Sequence, residues 1–397
     1  MKPFLFICLL GAFLMGGCSE KPHYDLVIDG VGFFDGYEDH GTVSLGIQGD
    51  SLVVVSREKL TGDSIINGQG KYVIPGLVNS HTHIWTTEQL KEGYAHGILA
   101  NIGLHASNPQ RDRNIKDTSH LAGYPHYYTS GYAATVPEGH PTQVSSFPIE
   151  TINDSVSTGD FVRNRIREGA DLIKIIHEDS EFFGMPPLPT LPYDSVAALI
   201  RHAHANGLKA VVHIARLDEM LRIAEDKPDG FVHLWNYKTN SELTDERLQK
   251  IAGSGAFIVP TALLQERGEE LLEQEGGFRL QWMREHFLDL ASTKEAIGKL
   301  HESGVVIVAG TDNGNLNLNW GDDLLEELRI YREAGLSNLE VLKTATGNAA
   351  DAWGIPVGRL KEGDKLNMVL LGGNPLEDLQ ALRNVIRIWK SETGDGL

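Results

Sequence analysis

The feature of this chain that most restricts its fold is a long central segment in which short apolar runs alternate with amphipathic stretches. The apolar runs are rich in Val, Ile and Leu and are bounded by turn-forming residues, which is typical of buried β-strands. Alternation of such strands with helices favours a parallel sheet covered by helices. The candidate strands are LVNSHTH (77–83), GILANIGL (97–104), HYYTSGYA (126–133), DLIKIIH (171–177), LKAVVHI (208–214), GFVHLW (230–235), AFIVPT (256–261) and VVIVAGTD (305–312).

Eight strands of this kind predict an α/β fold with a closed, TIM-like (β/α)8 barrel over residues 74–355. β-rich runs also occur near both ends of the chain, between Tyr24 and Val73 and again in DKLNMVLLGG and VIRIWKSE. We therefore expect residues 24–73 and 356–392 to form one small β-sandwich domain, built from both ends of the mature chain. Amphipathic helices are predicted around residues 193–206, 218–226, 242–252, 282–302 and 322–334.

The first residues, MKPFLFICLLGAFLMGGC, have the layout of a secretory signal. Lys2 gives a positive start, and the apolar run over residues 4–15 is too short to span a bilayer. Two small residues before Cys18 resemble the end of a bacterial lipobox. This layout predicts a signal peptide over residues 1–17, lipidation of Cys18 and a tether over residues 18–23. The protein would then be exported and anchored at a periplasmic or cell-surface membrane face; a plain signal peptide with an incidental cysteine is the alternative.

The composition restricts the partners and the metal chemistry. The formal net charge of −19 repels phosphate backbones and argues against a nucleic-acid partner. Both cysteines, Cys8 and Cys18, lie in the leader, so the rest of the chain has no disulfide and no thiolate metal site. Any metal must therefore be held by His, Asp, Glu or a rarer ligand.

Polar residues recur at the C-terminal ends of the candidate strands, where the active sites of (β/α)8 barrels lie. His81 and His83 are two positions apart on an extended segment, so both side chains point to the same side. A single His in an apolar strand is more often a satisfied interior group than a ligand, and it is the order and strand position of the whole set that predicts a metal site. The set consists of His81, His83, Lys174, His213, His233 and Asp312.

Lys174 is the most unusual member of this set. A charged amine between the apolar neighbours of DLIKIIH is costly to bury. One interpretation is a side chain that reaches the surface with its charged end. The other is a neutral amine that has captured carbon dioxide, which gives a carbamate able to bridge two metal ions.

On these residues the chain resembles the amidohydrolase superfamily, and within it the imidazolonepropionase-like and prolidase-like branch. The resemblance runs from about Tyr24 to Glu392. It rests on VIPGLVNSHTH, EGHPT, GADLIKIIH, VVHIA, FVHLW, AGTDNG and LKTATGNAADAWG. The resemblance implies two divalent metal ions, with zinc as the leading candidate and manganese, cobalt or iron as alternatives. It implies that His81 and His83 hold the inner ion, a carboxylated Lys174 bridges both ions, His213 and His233 hold the outer ion, and Asp312 is a ligand and proton shuttle.

The same resemblance implies that a hydroxide between the metals cleaves the C–N bond of an amide, peptide or cyclic amide, with a dipeptide or Xaa-Pro peptide as the expected substrate. His140 in EGHPT is expected to contact the substrate and its developing oxyanion. His177, which precedes Glu178 and Asp179 at the barrel mouth, and Tyr237 are also expected substrate contacts; loop positions without function are the alternative.

The loops around the site depart from the branch, after His83 and over residues 108–126, and they leave the substrate open. Hydrolysis of a lactone or other ester on the same site is one alternative function. A catalytically inactive surface-binding lipoprotein is another. Association into a homo-oligomer is also left open by the sequence.

Overall fold

A computed structural model describes residues 22–106, 108–145, 147–179 and 187–391. The predicted signal peptide over residues 1–17 and the predicted lipidation site Cys18 lie outside these ranges. Of the predicted tether, Pro22 and His23 are described, and His23 already begins the first strand. Within the described ranges no helix combines the length and the apolar character that a membrane crossing requires.

The strands, in chain order, are β1 (His23–Phe34), β2 (Asp39–Gln48), β3 (Ser51–Ser56), β4 (Thr61–Asn67), β5 (Tyr72–Pro75), β6 (Leu77–Thr82), β7 (Ile98–Gly103), β8 (His126–Thr129), β9 (Leu172–Ile176), β10 (Lys209–His213), β11 (Gly230–Val232), β12 (Phe257–Val259), β13 (Asn367–Leu371) and β14 (Val385–Lys390). The α-helices are α1 (Thr87–Ala95), α2 (Pro109–Ser119), α3 (Thr158–Glu168), α4 (Tyr193–Ala205), α5 (Leu217–Ile223), α6 (Asp245–Ser254), α7 (Ala262–Glu275), α8 (Gly277–His286), α9 (Leu290–Glu302), α10 (Asp323–Glu333), α11 (Asn338–Thr344) and α12 (Gly347–Trp353).

The two ends of the chain meet in one sheet with the strand order β14-β13-β5-β1-β2-β3, and β4 pairs with β1. β13 runs antiparallel to β5, with Met368 opposite Pro75 and Val369 opposite Ile74. One face of this sheet buries its own apolar cluster, which includes Ile28 and Leu45. β5 crosses the predicted domain boundary at residue 73, because all four of its residues pair with β13 in this sheet and β6 begins after one further residue.

The central segment is α/β with parallel sheets, as the strand and helix alternation predicts. β6, β7 and β8 form one parallel sheet, and β9 to β12 form another. Single parallel bridges extend between these groups: Ala134 pairs with Ile175, Ile258 with Ile307, and Thr82 with Asn313. The helices cover these sheets, and their inner faces share one large apolar core with the strands.

The eighth predicted strand, residues 305–312, is not a regular strand. Ile307 forms a single bridge to Ile258, and the N–H of Val308 donates to the carbonyl oxygen of Ile258 at 2.9 Å. The ladder ends there because the N–H of Ala309 donates to the carbonyl oxygen of Thr344, at 2.9 Å. This segment nevertheless lies beside β6, because the N–H of Ser80 donates to the carbonyl oxygen of Ala309 at 2.9 Å.

The helix predicted over residues 282–302 is two helices in the structure. α8 ends at His286, and Phe287 is extended, with φ −99° and ψ 151°. α9 begins after Asp289, whose side chain accepts a hydrogen bond from the N–H of Ser292 at 2.8 Å and so caps the new helix. The break has a consequence for the site, because it turns Phe287 and Leu288 into the wall of the main cavity.

Candidate active site

The C-terminal ends of the parallel strands open into a cavity of about 800 Å³. This cavity brings together all six of the predicted metal ligands, although they come from five different segments of the chain. β6 and the residues directly after it supply two of them, and β9, β10, the end of β11 and the segment after residue 308 supply the rest. The residues are His81, His83, Lys174, His213, His233 and Asp312.

His81, His83 and Asp312 form the most compact group, with ligand atoms that all lie within 4.8 Å of one another. Oδ1 of Asp312 lies 2.8 Å from Nε2 of His83 and 3.2 Å from Nε2 of His81. Nδ1 of His83 lies 3.4 Å from the carbonyl oxygen of His105, and the tautomer that donates to this oxygen has its lone pair on Nε2, where it could ligate a metal ion. Two imidazole nitrogens and a carboxylate oxygen this close together are a common donor set for a divalent metal ion, so the group fits a bound ion.

His213 and His233 form a second pair of imidazoles in the same cavity, with ring centroids 4.3 Å apart. Burial lowers the pKa of each ring well below its usual range, which keeps the rings neutral and able to ligate. Glu178 faces this pair, because its carboxylate contacts Nε2 of His213. The side chain of Glu178 is 4% exposed, so it is a buried part of the site and no solvated loop residue.

Lys174 lies in the middle of β9 and is 2% exposed, so its side chain does not reach the surface. Burial lowers the pKa of its amine to about 7, although the carboxylates of Asp312 and Glu178 act in the opposite direction. Its charge acts on the pKa of both His81 and His213, which places it within electrostatic range of both imidazole groups. An amine with this pKa is about half neutral near pH 7, and it lies in the wall of the same cavity as the imidazoles.

Thr261 fixes the orientation and tautomer of His233. The Thr261 hydroxyl donates its single proton to the carbonyl oxygen of Pro260, and Nδ1 of His233 lies 2.7 Å from the same oxygen atom. Nδ1 must therefore carry the imidazole proton and donate it to Thr261, which leaves the Nε2 lone pair free for a metal. Glu327 supports this arrangement from behind, because its buried carboxylate accepts the N–H groups of Ala262 and Leu263 at 2.9 and 2.6 Å.

Asp312 is held in place by the segments around it. The side chain of Asn79 bonds both the hydroxyl and the N–H of Thr311, at 2.9 and 3.1 Å, and so ties the first strand to the last segment. Gly310 permits this approach, because a Cβ there would lie 2.7 Å from the backbone nitrogen of His81. Burial raises the pKa of Asp312, but the hydrogen bond from His83 and the nearby positive charges outweigh it and hold the pKa below its usual value.

His140 also lines the cavity, and its ring lies 5.7 Å from that of His213. The amide of Gln143 donates to Nδ1 of His140 at 2.7 Å, because an amide nitrogen has no lone pair to offer. Burial lowers the pKa of His140, so the ring is neutral and carries its proton on Nε2. His140 thus offers one N–H donor to a bound molecule.

The structure does not bring the other two predicted substrate contacts to the cavity wall. His177 turns away because its Nδ1 bonds the carbonyl oxygen of Leu191 at 2.9 Å and its ring packs on Tyr193. Tyr237 is held between Phe287, with ring centroids 4.8 Å apart, and the guanidinium of Arg216. Neither His177 nor Tyr237 is among the described residues that line the cavity.

The sequence interpretation missed much of the cavity wall. α7, which was not predicted, contributes Leu264, Gln265 and Leu272, and the break between α8 and α9 contributes Phe287 and Leu288. The apolar spacing of LLQERGEELL is the signal that would have identified α7. Arg111 of α2 and loop residues whose position no periodicity predicts complete the wall, among them Pro141, Val144 and Phe147.

Comparison with known proteins gives relatives with several different named activities. A 5-methylthioadenosine/S-adenosylhomocysteine deaminase from Caldicellulosiruptor saccharolyticus is 24% identical over 370 residues, covering 85% of this chain and 80% of that protein. A Xaa-Pro dipeptidase crystallised with methionine in its active site superposes with a TM-score of 0.76 at 19% identity, over 94% of this chain and 100% of that one. The ochratoxinase of A. niger gives a TM-score of 0.74 at 18% identity, over 93% of this chain and 95% of that one.

At these identities the solved structures establish the fold alone, which is the TIM-like barrel of the amidohydrolases. The Amidohydrolase family matches residues 72–392, which is most of the chain. The dependence of this family on metal ions agrees with the group formed by His81, His83 and Asp312. The predicted superfamily and the prediction of a C–N hydrolase are therefore confirmed. The chain belongs to the amidohydrolase family and is a metal-dependent hydrolase of carbon–nitrogen bonds.

Proposed function

We propose that this protein hydrolyses the amide bond of a small amide or peptide, of the dipeptide or Xaa-Pro type, at a centre of two metal ions bridged by a carboxylated Lys174. The observation that supports this proposal most directly is the position of Lys174. It is a buried amine within electrostatic range of the imidazoles of both His81 and His213. Burying a bare amine there is unfavourable, whereas a carbamate on Lys174 would be an anionic ligand for the metal ions.

We also propose the finer architecture around this centre. The bridges at Ala134, Ile258 and Thr82 support closure of the parallel strands into one (β/α)8 barrel. Residues 24–73 and 356–392 would then form the small β-sandwich domain, and residues 74–355 the barrel. The leader supports export and lipid anchoring through Cys18 at a periplasmic or cell-surface face.

The ligand set would hold the two ions as follows. His81, His83 and Asp312 fit one ion, His213 and His233 fit the other, and zinc suits the set best, with manganese, cobalt or iron as alternatives. When bound, the ions polarise the substrate carbonyl and lower the pKa of the attacking water. Glu178 stands beside His213 and would complete the surroundings of the second ion.

The chain's own residues then orient the substrate and move the proton. Asp312 is ionised, because its pKa is held below its usual value, so its carboxylate accepts the proton of the attacking water and passes it to the leaving nitrogen. His140 donates its Nε2 proton in a hydrogen bond to the carbonyl oxygen as negative charge develops there. Asn315 donates to Oδ1 of Asp312 at 3.1 Å and keeps the carboxylate oriented.

A second candidate function is the removal of an amino group from an adenosine-type nucleoside. It is favoured by the relatives named as 5-methylthioadenosine/S-adenosylhomocysteine and 5'-deoxyadenosine deaminases, which match along 85% and 79% of the chain. The cavity of about 800 Å³ is wide enough for such a molecule. The two functions release different products, since a deaminase gives ammonia and a peptidase gives an amino acid.

The test combines metal analysis with a substrate panel. We expect two metal ions per chain and the release of amino acids from Xaa-Pro dipeptides, other dipeptides or acylated amino acids. Lys174→Ala should lose the activity and at least one ion, and formate or acetate should partly restore both. Full metal content and activity in Lys174→Ala would refute the bridging carbamate. Ammonia release from nucleosides alone would favour the second candidate, and turnover of lactones alone would favour an esterase; no turnover and no metal would indicate a binding protein.

A further inference from the structure

The cavity is larger than the substrate of a dipeptidase requires. Its volume of about 800 Å³ lies in the upper part of the range of about 300–1,000 Å³ that accommodates drug-sized ligands. The metal-ligand candidates occupy one part of the wall. The rest must contact the parts of the substrate that flank the scissile bond, so the chemistry of that wall indicates what those parts are.

Most of this remaining wall is apolar. α7 contributes Leu264 and Leu272, α8 contributes Met283, and the break after it contributes Phe287 and Leu288. Because apolar groups bind by removing apolar surface from water, this side favours a large hydrophobic group.

The segment between β8 and α3 also contributes apolar side chains to the cavity, and these side chains are exposed. Val144 is 70% exposed and Phe147 is 49% exposed, although large apolar side chains are usually buried. Both line the cavity. Exposed apolar residues grouped at the edge of a cleft mark a surface that a ligand covers.

The charges of the wall are as informative as its apolar groups. Glu178 faces His213, and the carboxylate of Glu269 accepts a hydrogen bond from Gln265 at 3.2 Å. Both carboxylates therefore already have a protein partner, and the amino group of a dipeptide would have to share Glu269 with Gln265. Arg111 is the opposite case: it lines the cavity, and its guanidinium forms no ion pair or hydrogen bond with any residue in the described ranges.

We propose that the preferred substrate is an acylated amino acid, in which a large apolar acyl group lies against α7 and α8 and the carboxylate of the amino acid binds Arg111. This inference rests on the proposed amide hydrolysis and specifies its substrate class. The acyl group of such a substrate has no charged amino group, so it can pack against the apolar wall without a carboxylate partner. The guanidinium of Arg111 supplies the planar pair of donors that a carboxylate accepts.

The experiment compares matched substrates on the metal-loaded mature chain. Octanoyl-phenylalanine, acetyl-phenylalanine and Ala-Phe share the amino-acid part and differ in the acyl part. Octanoyl-phenethylamide keeps the octanoyl group and lacks the carboxylate. We expect kcat/KM for octanoyl-phenylalanine to exceed the value for each of the other three by at least tenfold.

Arg111→Met tests the contact with the substrate carboxylate. The test uses a ratio of two kcat/KM values, because a general loss of activity would lower both values equally and leave the ratio unchanged. The ratio of kcat/KM for octanoyl-phenylalanine to that for octanoyl-phenethylamide should fall at least tenfold. Arg113→Met is the matched control, because Arg113 lies on the same helix and its guanidinium donates to the carbonyl oxygen of Glu168 at 3.3 Å. That control should keep the ratio of the unmodified protein.

The two proposals fail in different ways. If Ala-Phe or Xaa-Pro dipeptides are cleaved as well as octanoyl-phenylalanine, the acylated class is wrong and amide hydrolysis stands. If no amide is cleaved by protein that holds two metal ions, the proposed function itself fails. If Arg111→Met leaves the ratio unchanged, or if Arg113→Met lowers it equally, Arg111 does not bind the carboxylate.

Discussion

The contact between Thr261 and His233 allows a quantitative test of how the site prepares a metal ligand. Thr261→Val keeps the branched shape of the side chain and removes the oxygen that accepts the Nδ1 proton of His233. Thr261 is 4% exposed, so water has little access to replace that oxygen. An unpaired buried donor costs about 1–3 kcal/mol, which corresponds to about a 5- to 150-fold change in an equilibrium constant.

We therefore expect Thr261→Val to weaken the binding of the metal ion proposed at His213 and His233 by about 10- to 100-fold, the usual effect of losing a hydrogen-bond partner of a ligand. The assay is a competition between the protein and a chromophoric chelator, which measures the affinity of each ion. Thr261→Ser is the control, because it keeps the hydroxyl and loses only the methyl group. Unchanged affinity in Thr261→Val, or an equal loss in Thr261→Ser, would refute the role of this hydrogen bond.

Three further predictions address the stability, the chemistry and the location of the protein. Burial raises the pKa of Glu327 from its ordinary value of 4.5 to about 7. Between pH 4.5 and pH 7 the folded state therefore keeps a proton on Glu327 that the unfolded state has released. The contribution of Glu327 to the free energy of unfolding should therefore fall by up to about 3 kcal/mol as the pH rises from 4.5 to 7. Urea unfolding measures this free energy, and the fall should be absent in Glu327→Gln. If both proteins show the same pH dependence, the raised pKa of Glu327 is wrong. His140→Phe should lower kcat by about 10²- to 10³-fold with little change in metal content, if the ring acts as an oxyanion donor, and a change confined to KM would point to substrate binding alone. Cys18→Ser in the full-length chain should move the protein from the membrane pellet to the soluble fraction, and a variant that still pellets would exclude the lipid anchor.

The metal-ligand candidates could be identified from the sequence because the direction of the strands alone places them close together. Parallel strands bring their C-terminal ends to one side, so residues such as His81, Lys174 and His213 lie near one another whatever the loops do. The alternation of side chains along a strand then directs His81 and His83 into the same cavity. These inferences need only the strand assignments, which agree with β6 to β12.

The remaining parts of the site depend on interactions between distant segments, and no local pattern encodes them. The apolar pattern of residues 282–302 favours one long helix, and the cap at Asp289 that breaks it was not recognised. His177 follows a strand as a substrate contact should, yet the carbonyl oxygen of Leu191 holds its ring away from the cavity. The eighth strand is irregular because Ala309 bonds to Thr344, in a segment that the strand pattern does not include.

The pairing of β5 with β13 sets the order in which this protein can fold. β13 lies between β5 and β14, so the sheet of the chain ends stays incomplete until the last strands have been synthesised. β5 is followed within two residues by β6, which carries His81, so the first ligand strand adjoins an unfinished sheet throughout synthesis. Contacts of such long sequence separation form slowly and late. A chain that lacks β13 and β14 should therefore retain the motifs of the site and yet expose β5, and it should aggregate before it can assemble a metal centre.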